Sequence, residues 1–268
     1  MLLVSEKATR WRESNLKLKL REVELLVKYF GKDHHFENVL EVGAGNCSQS
    51  EFLYKLASNS LFSIDLNSER LFSGNNLKSQ TLLVADAEQL DQVDFPIQFD
   101  LVFSSNVLEH LPNVKDCLDT SLLVSNENSF YVHILPNPTW RLFSTLLYYP
   151  IKLRNLIGRL FSKKEVAAKS SWGNNMKIDV AKPSFLSRLL PPVHGVSNNL
   201  FQEFKAFRRS AWIRIFEECG YEVVDVLPGP ISTGYGIGFD SLKPLLEGMG
   251  LSTEYIYILN RAKNVSEI

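Results

Sequence analysis

Two patterns of apolar residues take turns along the chain. From Asn15 to Phe30, Leu16, Leu18, Leu20, Val23, Leu25, Leu26 and Val27 sit among Lys, Arg and Glu, which predicts an amphipathic helix with Gly31 as its stop. A short apolar run, Asn38 to Val42, then predicts a strand that runs into the tight turn Gly43-Ala44-Gly45. Ser48 to Ala57 reads as a helix with Ser48 as its cap. Further strands are predicted at Leu61 to Leu66, Thr81 to Ala85, Phe99 to Ser104 and Ser129 to Leu135, with a helix around Val114 to Val124 before the last of these. Strands alternating with helices imply an α/β, doubly wound, mostly parallel sheet with helices on both faces. The rhythm breaks between Pro136 and about Asn199, an irregular stretch with helical pieces. It resumes with a helix at Phe201 to Cys219, a strand at Tyr221 to Leu227, a short helix at Asp240 to Gly248 and a strand at Thr253 to Asn260. The expected organisation is one domain over 1–268. It divides into a helical extension (1–35), a first half of the sheet (36–136), an insertion (137–200) and the remainder of the sheet (201–268).

Composition narrows the class. The chain has 268 residues, 45% of them hydrophobic, enough for one sizeable core with a large insertion. The formal net charge of −1 argues against a nucleic-acid binder. Three cysteines, Cys47, Cys117 and Cys219, lie far apart without a CxxC pair, so reduced thiols in a cytoplasmic protein are expected. The N-terminus lacks the apolar core of a signal peptide, and no run of 18 uncharged apolar residues is long enough to span a membrane. Asn46-Cys47-Ser48 and Asn264-Val265-Ser266 are then chance matches to the glycosylation pattern.

The candidate chemistry lies at the strand ends. Glu41-Val42-Gly43-Ala44-Gly45 lets the chain turn sharply and lets a ligand approach the backbone. It departs from the dinucleotide pattern GxGxxG, because Ser48 stands where a third glycine belongs. Asp65 closes the second strand, where an acid can accept hydrogen bonds from both ribose hydroxyls. Asp86-Ala87 follows the third strand and could hold an adenine. These ends meet at the carboxyl edge of a doubly wound sheet, where ligands bind.

Val39 to Gly45, Ile64-Asp65, Ala85-Asp86-Ala87 and Phe99 to Leu111, the last ending in Ser105-Asn106-Val107-Leu108-Glu109-His110-Leu111, resemble class I S-adenosylmethionine-dependent methyltransferases of the small-molecule type. The resemblance covers roughly residues 36 to 136. It implies a seven-stranded Rossmann-like sheet whose last strand is antiparallel. It also implies S-adenosylmethionine as cofactor and assigns roles. Gly43, Ala44 and Gly45 pass under its methionine part, and Glu41 lies near its ammonium and fixes the loop. Asp65 with Leu66 holds the ribose end, and Asp86 with Ala87 the adenine. Ser105 and Asn106 lie beside the methionine part, and His110 near the sulfonium.

Acceptor specificity in this class lies outside the cofactor half. From Arg141 to Arg188 ten Lys or Arg face only Glu165 and Asp179, a local charge of +8 that leaves about −9 elsewhere. Trp140 to Phe161 reads as a basic amphipathic segment interrupted by Pro150. It suits either a lid over the site or contact with a membrane surface or a lipid-linked substrate. Pro191-Pro192-Val193-His194-Gly195, the following aromatic-rich helix, Pro228-Gly229-Pro230 and Thr233-Gly234-Tyr235-Gly236 resemble methyltransferases of surface-glycan and lipid-glycan biosynthesis. That implies a small-molecule or glycan hydroxyl as acceptor, on a nucleotide or lipid carrier, while the basic segment adds the expectation of an anionic acceptor and of a cytoplasmic enzyme peripheral to the inner membrane surface. A hydroxyl must lose its proton, and His194 and His110 compete for the role of base. His34 and His35 read as surface residues and His133 as a strand residue, and without an HExxH pattern no metal is expected. A nicotinamide-dependent oxidoreductase and a non-catalytic S-adenosylmethionine-binding protein are the rival readings. A protein or RNA acceptor is disfavoured by Ser104-Ser105-Asn106-Val107, which replaces the Asn-Pro-Pro-Tyr type of motif.

Overall fold

The computed structural model describes residues 2–73, 80–161, 191, 193–197, 199–232 and 242–263. The chain opens on helix α1 (Leu2–Phe30), longer than the predicted segment, and continues with β1 (Phe36–Val42), α2 (Ser50–Leu53), β2 (Ala57–Asp65), α3 (Ser68–Leu71), β3 (Gln80–Val84) and β4 (Phe99–Ser105). Then come α4 (Val114–Leu123), β5 (Ser125–Pro136), α5 (Pro138–Phe161), α6 (Leu200–Ala206), α7 (Arg209–Glu218), β6 (Tyr221–Pro228), α8 (Lys243–Gly248) and β7 (Glu254–Arg261). The seven strands form one sheet in the order β3-β2-β1-β4-β5-β7-β6. The first five pair in parallel, and β7 runs antiparallel to both β5 and β6. This is the doubly wound Rossmann-like sheet with the antiparallel last strand that the resemblance implies.

Both faces of the sheet are covered, which explains why its strands read as near-continuous apolar runs. Leu40, Val42, Phe62, Ile64, Phe99 and Val102 pack with Leu118 of α4 and with Trp212 and Phe216 of α7 on one side. Val39, Leu61, Leu101, Phe103, Val132 and Ile134 pack with Val23 and Leu26 of α1 and Leu53 of α2 on the other. The period-two alternation of β-strands assigns neighbours such as Val39 and Leu40 to opposite cores.

Four local expectations need correction. The helix predicted at 48–57 is a single turn, Ser50–Leu53, whose N-cap is Gln49 and not Ser48. Ala57 is taken by β2, because it pairs with Phe36 at the start of the β1 ladder. The helix predicted at 201–219 is two: Asn199 caps α6 through its side chain, and Arg208 (φ −67°, ψ 139°) is extended, breaking the chain beside the buried Phe207. β5 starts at Ser125, four residues early, with a register irregularity between Phe99 and Leu101. The insertion opens as one long helix, α5, that continues through Pro150. Its remainder, including Lys163, Lys164, Glu165, Lys169, Lys177, Asp179, Lys182 and Arg188, lies outside the described residues, as do Thr233 to Gly236 and Asn264.

The order of strands places the switch of direction between β1 and β4. The carboxyl ends of β1 to β5 and the start of the antiparallel β7 share one edge. Every candidate residue at a strand end therefore faces the same crevice.

Candidate active site

At the end of β1 the chain is held by a buried carboxylate. Glu41 accepts hydrogen bonds from Ser63 Oγ (2.7 Å) and from Ser50 Oγ, tying β1 to β2 and to α2. Burial pushes the Glu41 carboxyl up to about 7, against the two hydroxyls and Lys19. Gly43 turns with φ +72°, and a Cβ there would lie 2.3 Å from Val107 Cγ2. Only glycine lets the loop pass so close to the segment after β4. Ala44 N donates to Ile64 O (2.9 Å). Gly45 N donates to Asp65 Oδ2 (2.8 Å), and Asn67 N donates to Asp65 Oδ1 (2.9 Å), so the acid at the end of β2 is aimed at the glycine turn by two amides. Arg70 Nη2 sits 3.1 Å from where a Cβ of Gly45 would be. Beside it Leu66 leaves 68% of its surface exposed. Asp86 Oδ1 caps the next turn through Glu88 N (2.9 Å), and Ala87 packs on the core beneath.

After β4, Asn106 adopts φ +56° and donates its amide to Ile134 O (2.9 Å). Ser105 Oγ donates to Glu22 Oε2 (2.8 Å) and accepts from Lys19 Nζ. Gln49 Nε2 also donates to Glu22 Oε2 (2.7 Å). The N-terminal helix thus delivers a buried ion pair, Lys19–Glu22 at 3.1 Å, to the edge of the crevice. Sequence reading missed it. The available signal was that Lys19 and Glu22 share the stripe of α1 that also carries Val23 and Leu26.

The two rival histidines meet. His110 ends the turn Leu108–His110 and His194 lies in the loop before α6, and their ring centroids are 4.5 Å apart. Nε2 of each lies 3.8 Å from Oε1 of Glu109, whose carboxylate is buried and has no hydrogen-bond partner for either oxygen among the described residues. Burial lowers the pKa of His110; Glu109 opposes this, while His194 and Arg70 add to it. The loop is seated by its backbone: Val196 N donates to Glu109 O (3.2 Å), and a Cβ on Gly195 would lie 2.3 Å from that same oxygen. Glu203 completes the support, accepting from His194 N (3.1 Å) through Oε1 and pairing with Arg141 Nε (3.1 Å) through Oε2. Arg141 is therefore a buried partner of Glu203 and no part of a solvated basic face. The Trp140 ring lies 4.8 Å from that of His194. Glu109, Glu203, Trp140 and Arg141 in this role were not foreseen.

The other histidines keep their expected places. His34 and His35 are exposed. His133 is buried in β5 with Nδ1 2.8 Å from Ser104 Oγ, and burial lowers its pKa to about 3.

The crevice therefore has a glycine cradle flanked by two acids on one side. On the other it has imidazoles, a carboxylate and an indole. Residues 40–127 match the methyltransferase domain family. No curated protein matches the sequence. Among solved structures, the chain is similar to a methyltransferase in complex with the Haloferax volcanii Trm112 methyltransferase activator (10% identity, 96% of each chain covered, TM-score 0.55). It is also similar to an S-adenosylmethionine-dependent methyltransferase from Mesorhizobium loti (13% identity, 90% of this chain and 98% of that one, TM-score 0.53). A third is the plantazolicin methyltransferase BamL, solved with S-adenosylhomocysteine and a desmethyl substrate analogue (12% identity, 97% and 91% covered, TM-score 0.54). At such identities these structures share the fold. The domain match covers about a third of the chain, the first half of the sheet with its glycine turn and the two acids.

Proposed function

We propose that this chain is an S-adenosylmethionine-dependent methyltransferase acting on a hydroxyl of a small molecule or of a glycan, free or lipid-linked. The observation that carries the reading is the Gly43–Gly45 turn at the end of β1, locked by the 2.8 Å amide bond to Asp65 at the end of β2. The residues fit the cofactor. Gly43 and Gly45 bring backbone without side chains to the strand ends, packed closely by Val107 and Arg70, and each Asp65 oxygen keeps a lone pair beyond the amide it accepts. Exposed Leu66 gives an apolar surface for the adenosine, with Asp86 and Ala87 at its far end. Ser105 and Asn106, with Lys19 and Glu22 behind them, flank the methionine end. Glu41 steadies the loop from within and would reach the ammonium side through Ser50.

S-adenosylmethionine supplies a methyl carbon activated by a sulfonium. The residues of this chain must then orient the acceptor and take its proton, and alignment supplies much of the rate. His194 and His110 stand on the acceptor side as candidates for the base, with Glu109 between them and Glu203 holding the His194 loop. Trp140 and the polar groups around it suit a sugar ring, which presents hydroxyls at its rim and an apolar face. The test is calorimetric titration with S-adenosylmethionine, S-adenosylhomocysteine and NADH. Micromolar binding of the first two, lost in Asp65→Asn, supports the reading; binding of NADH alone would replace it with the oxidoreductase. Product formation with nucleotide-sugar or lipid-linked glycan extracts excludes a merely binding protein.

A second feature favours work at a membrane surface. Along α5, Leu142, Leu146, Tyr149 and Leu153 are exposed at three- and four-residue spacing, with Lys152 and Arg154 alongside. No described helix is long and apolar enough to cross a membrane. Co-sedimentation with anionic vesicles at low salt, reduced in Leu146→Asp, checks this contact; no binding ends it.

A further inference from the structure

The carboxylate of Glu109 poses a problem of charge. It is buried, its two oxygens lack hydrogen-bond partners among the described residues, and no lysine or arginine is paired with it there. A buried carboxylate is costly unless something positive or a donor compensates it. The nearest polar groups are two imidazole nitrogens, both 3.8 Å from the same oxygen, Oε1. That separation is too long for a hydrogen bond. It is close to the spacing of ligand atoms around a shared cation: with metal–ligand distances of about 2.0–2.2 Å, neighbouring ligand atoms lie roughly 3.0–3.5 Å apart. All three ligand atoms, one each from Glu109, His110 and His194, fall within 4.8 Å of one another. Closing the set takes a contraction of a few tenths of an ångström at each carboxylate–imidazole pair and of up to about 1.5 Å between the ligand atoms farthest apart.

We propose that Glu109, His110 and His194 form a site for a divalent transition-metal ion, with the acceptor in its open positions. The donor set points to this class. Two imidazoles and one carboxylate suit zinc, cobalt, iron or manganese better than magnesium, which prefers oxygens and keeps its water. Three protein ligands leave coordination positions free, as catalytic sites do and closed structural sites do not. The support around the ligands is that of a built site. Val196 N and the bare Gly195 seat the His194 loop on the Glu109 carbonyl, and the Arg141–Glu203 pair holds the His194 amide. Positioning of this kind, outside the ligands themselves, tunes metal sites. An acceptor hydroxyl bound to the ion becomes more acidic and loses its proton to water, so neither histidine need serve as base while it is a ligand. The inference rests on reading this cluster as the acceptor side of a methyltransferase site.

The test uses the full, untagged chain without cofactor, titrated with cobalt(II) and followed by visible absorption, and with zinc(II) by calorimetry. We expect about one ion per chain, and cobalt bands several times stronger than those of the hydrated ion, since an unsymmetrical site of mixed nitrogen and oxygen ligands replaces the aqua octahedron. His194→Ala, in a half-exposed loop that can change without unfolding the sheet, and Glu109→Gln are each expected to weaken binding at least about tenfold. Circular dichroism verifies that both are folded. Only the spectrum of hydrated cobalt at about millimolar metal, or equal binding in folded His194→Ala, overturns the site. S-adenosylhomocysteine titrated into the same preparation separates the two proposals. Cobalt binding without cofactor binding removes the methyltransferase reading and leaves the ion site; the reverse removes the ion site alone.

Discussion

Two residues show how single atoms set the behaviour of this site. At Gly195 the backbone rests on the Glu109 carbonyl with φ +73°, so an added methyl meets both a strained conformation and a backbone oxygen. Gly195→Ala should lift the loop and carry His194 away while leaving the glycine turn after β1 untouched. The expected outcome is kcat lowered about tenfold or more, since a displacement of the order of 1 Å costs that much, with S-adenosylhomocysteine affinity unchanged by calorimetry; a parallel loss of both would mean the sheet edge itself had moved. Glu41 acts instead through protonation. Its folded pKa of about 7 lies above the ordinary carboxyl value of 4.5, so between these pH values the folded chain keeps a proton that the unfolded chain releases. The stability contributed is fully present at low pH and is lost as pH rises through that window, by about 3 kcal/mol in all. Glu41→Gln keeps an oxygen that can accept from both serines, which donate to one and the same carboxylate oxygen, and cannot ionise. Urea midpoints at pH 4 and pH 8 should therefore converge in the variant relative to the native chain; an identical pH difference in both would show that Glu41 does not titrate in this window.

At the scale of elements, α1 is held by Val23 and Leu26 in the core and carries Lys19 and Glu22 into the crevice beside Ser105. Glu22 is fully buried, so its ion pair cannot be cut from one side without leaving a charge behind. Lys19→Met should destabilise the protein by roughly 3 kcal/mol, and adding Glu22→Gln should recover a good part of it. Chemical denaturation of the two single variants and the double one measures the coupling; simple additivity would show that the pair is decorative. The elements also mark where sequence patterns end. Apolar runs located all seven strands, because the central strands are buried on both faces and must be apolar to be so, while the edge strands β3 and β6 keep apolar residues among exposed ones. The helix ends were less legible. Phe201 to Cys219 shows continuous helical periodicity, yet burying Phe207 turns the chain at Arg208, a tertiary demand that no local propensity records. The register of Ala57 on Phe36 likewise shortened α2 to one turn.

Across the whole molecule, the candidate cofactor residues could be picked out together because the parallel sheet brings consecutive strand ends to one edge. Gly43, Asp65, Asp86 and Ser105 each close a strand, so order along the chain translates into proximity. The acceptor side has no such rule. His110 and His194 are 84 positions apart, and Glu203 and Arg141 come from two further helices, so their meeting depends on the insertion and not on strand order. The expectation of no metal rested on ligands close together in sequence, a pattern that carries no information on groups brought together across the insertion. The same division sets how binding should act on stability. A ligand lying across the switch between β1 and β4 touches the ends of β1 to β4 and the segment after β4, but only in the folded state. At about 100 times its dissociation constant, S-adenosylhomocysteine should add about 2.7 kcal/mol. With roughly 2 °C of Tm per kcal/mol for a chain of this size, that is a rise of about 5 °C by thermal melting. Asp65→Asn should lose most of the rise, because the carboxylate that accepts the Gly45 amide, and that we propose receives the ribose, is gone. Gly195→Ala should keep it, because that change lies on the acceptor side. If both variants lose the shift, the two halves of the crevice are one cooperative unit and the acceptor loop must order before the cofactor can bind.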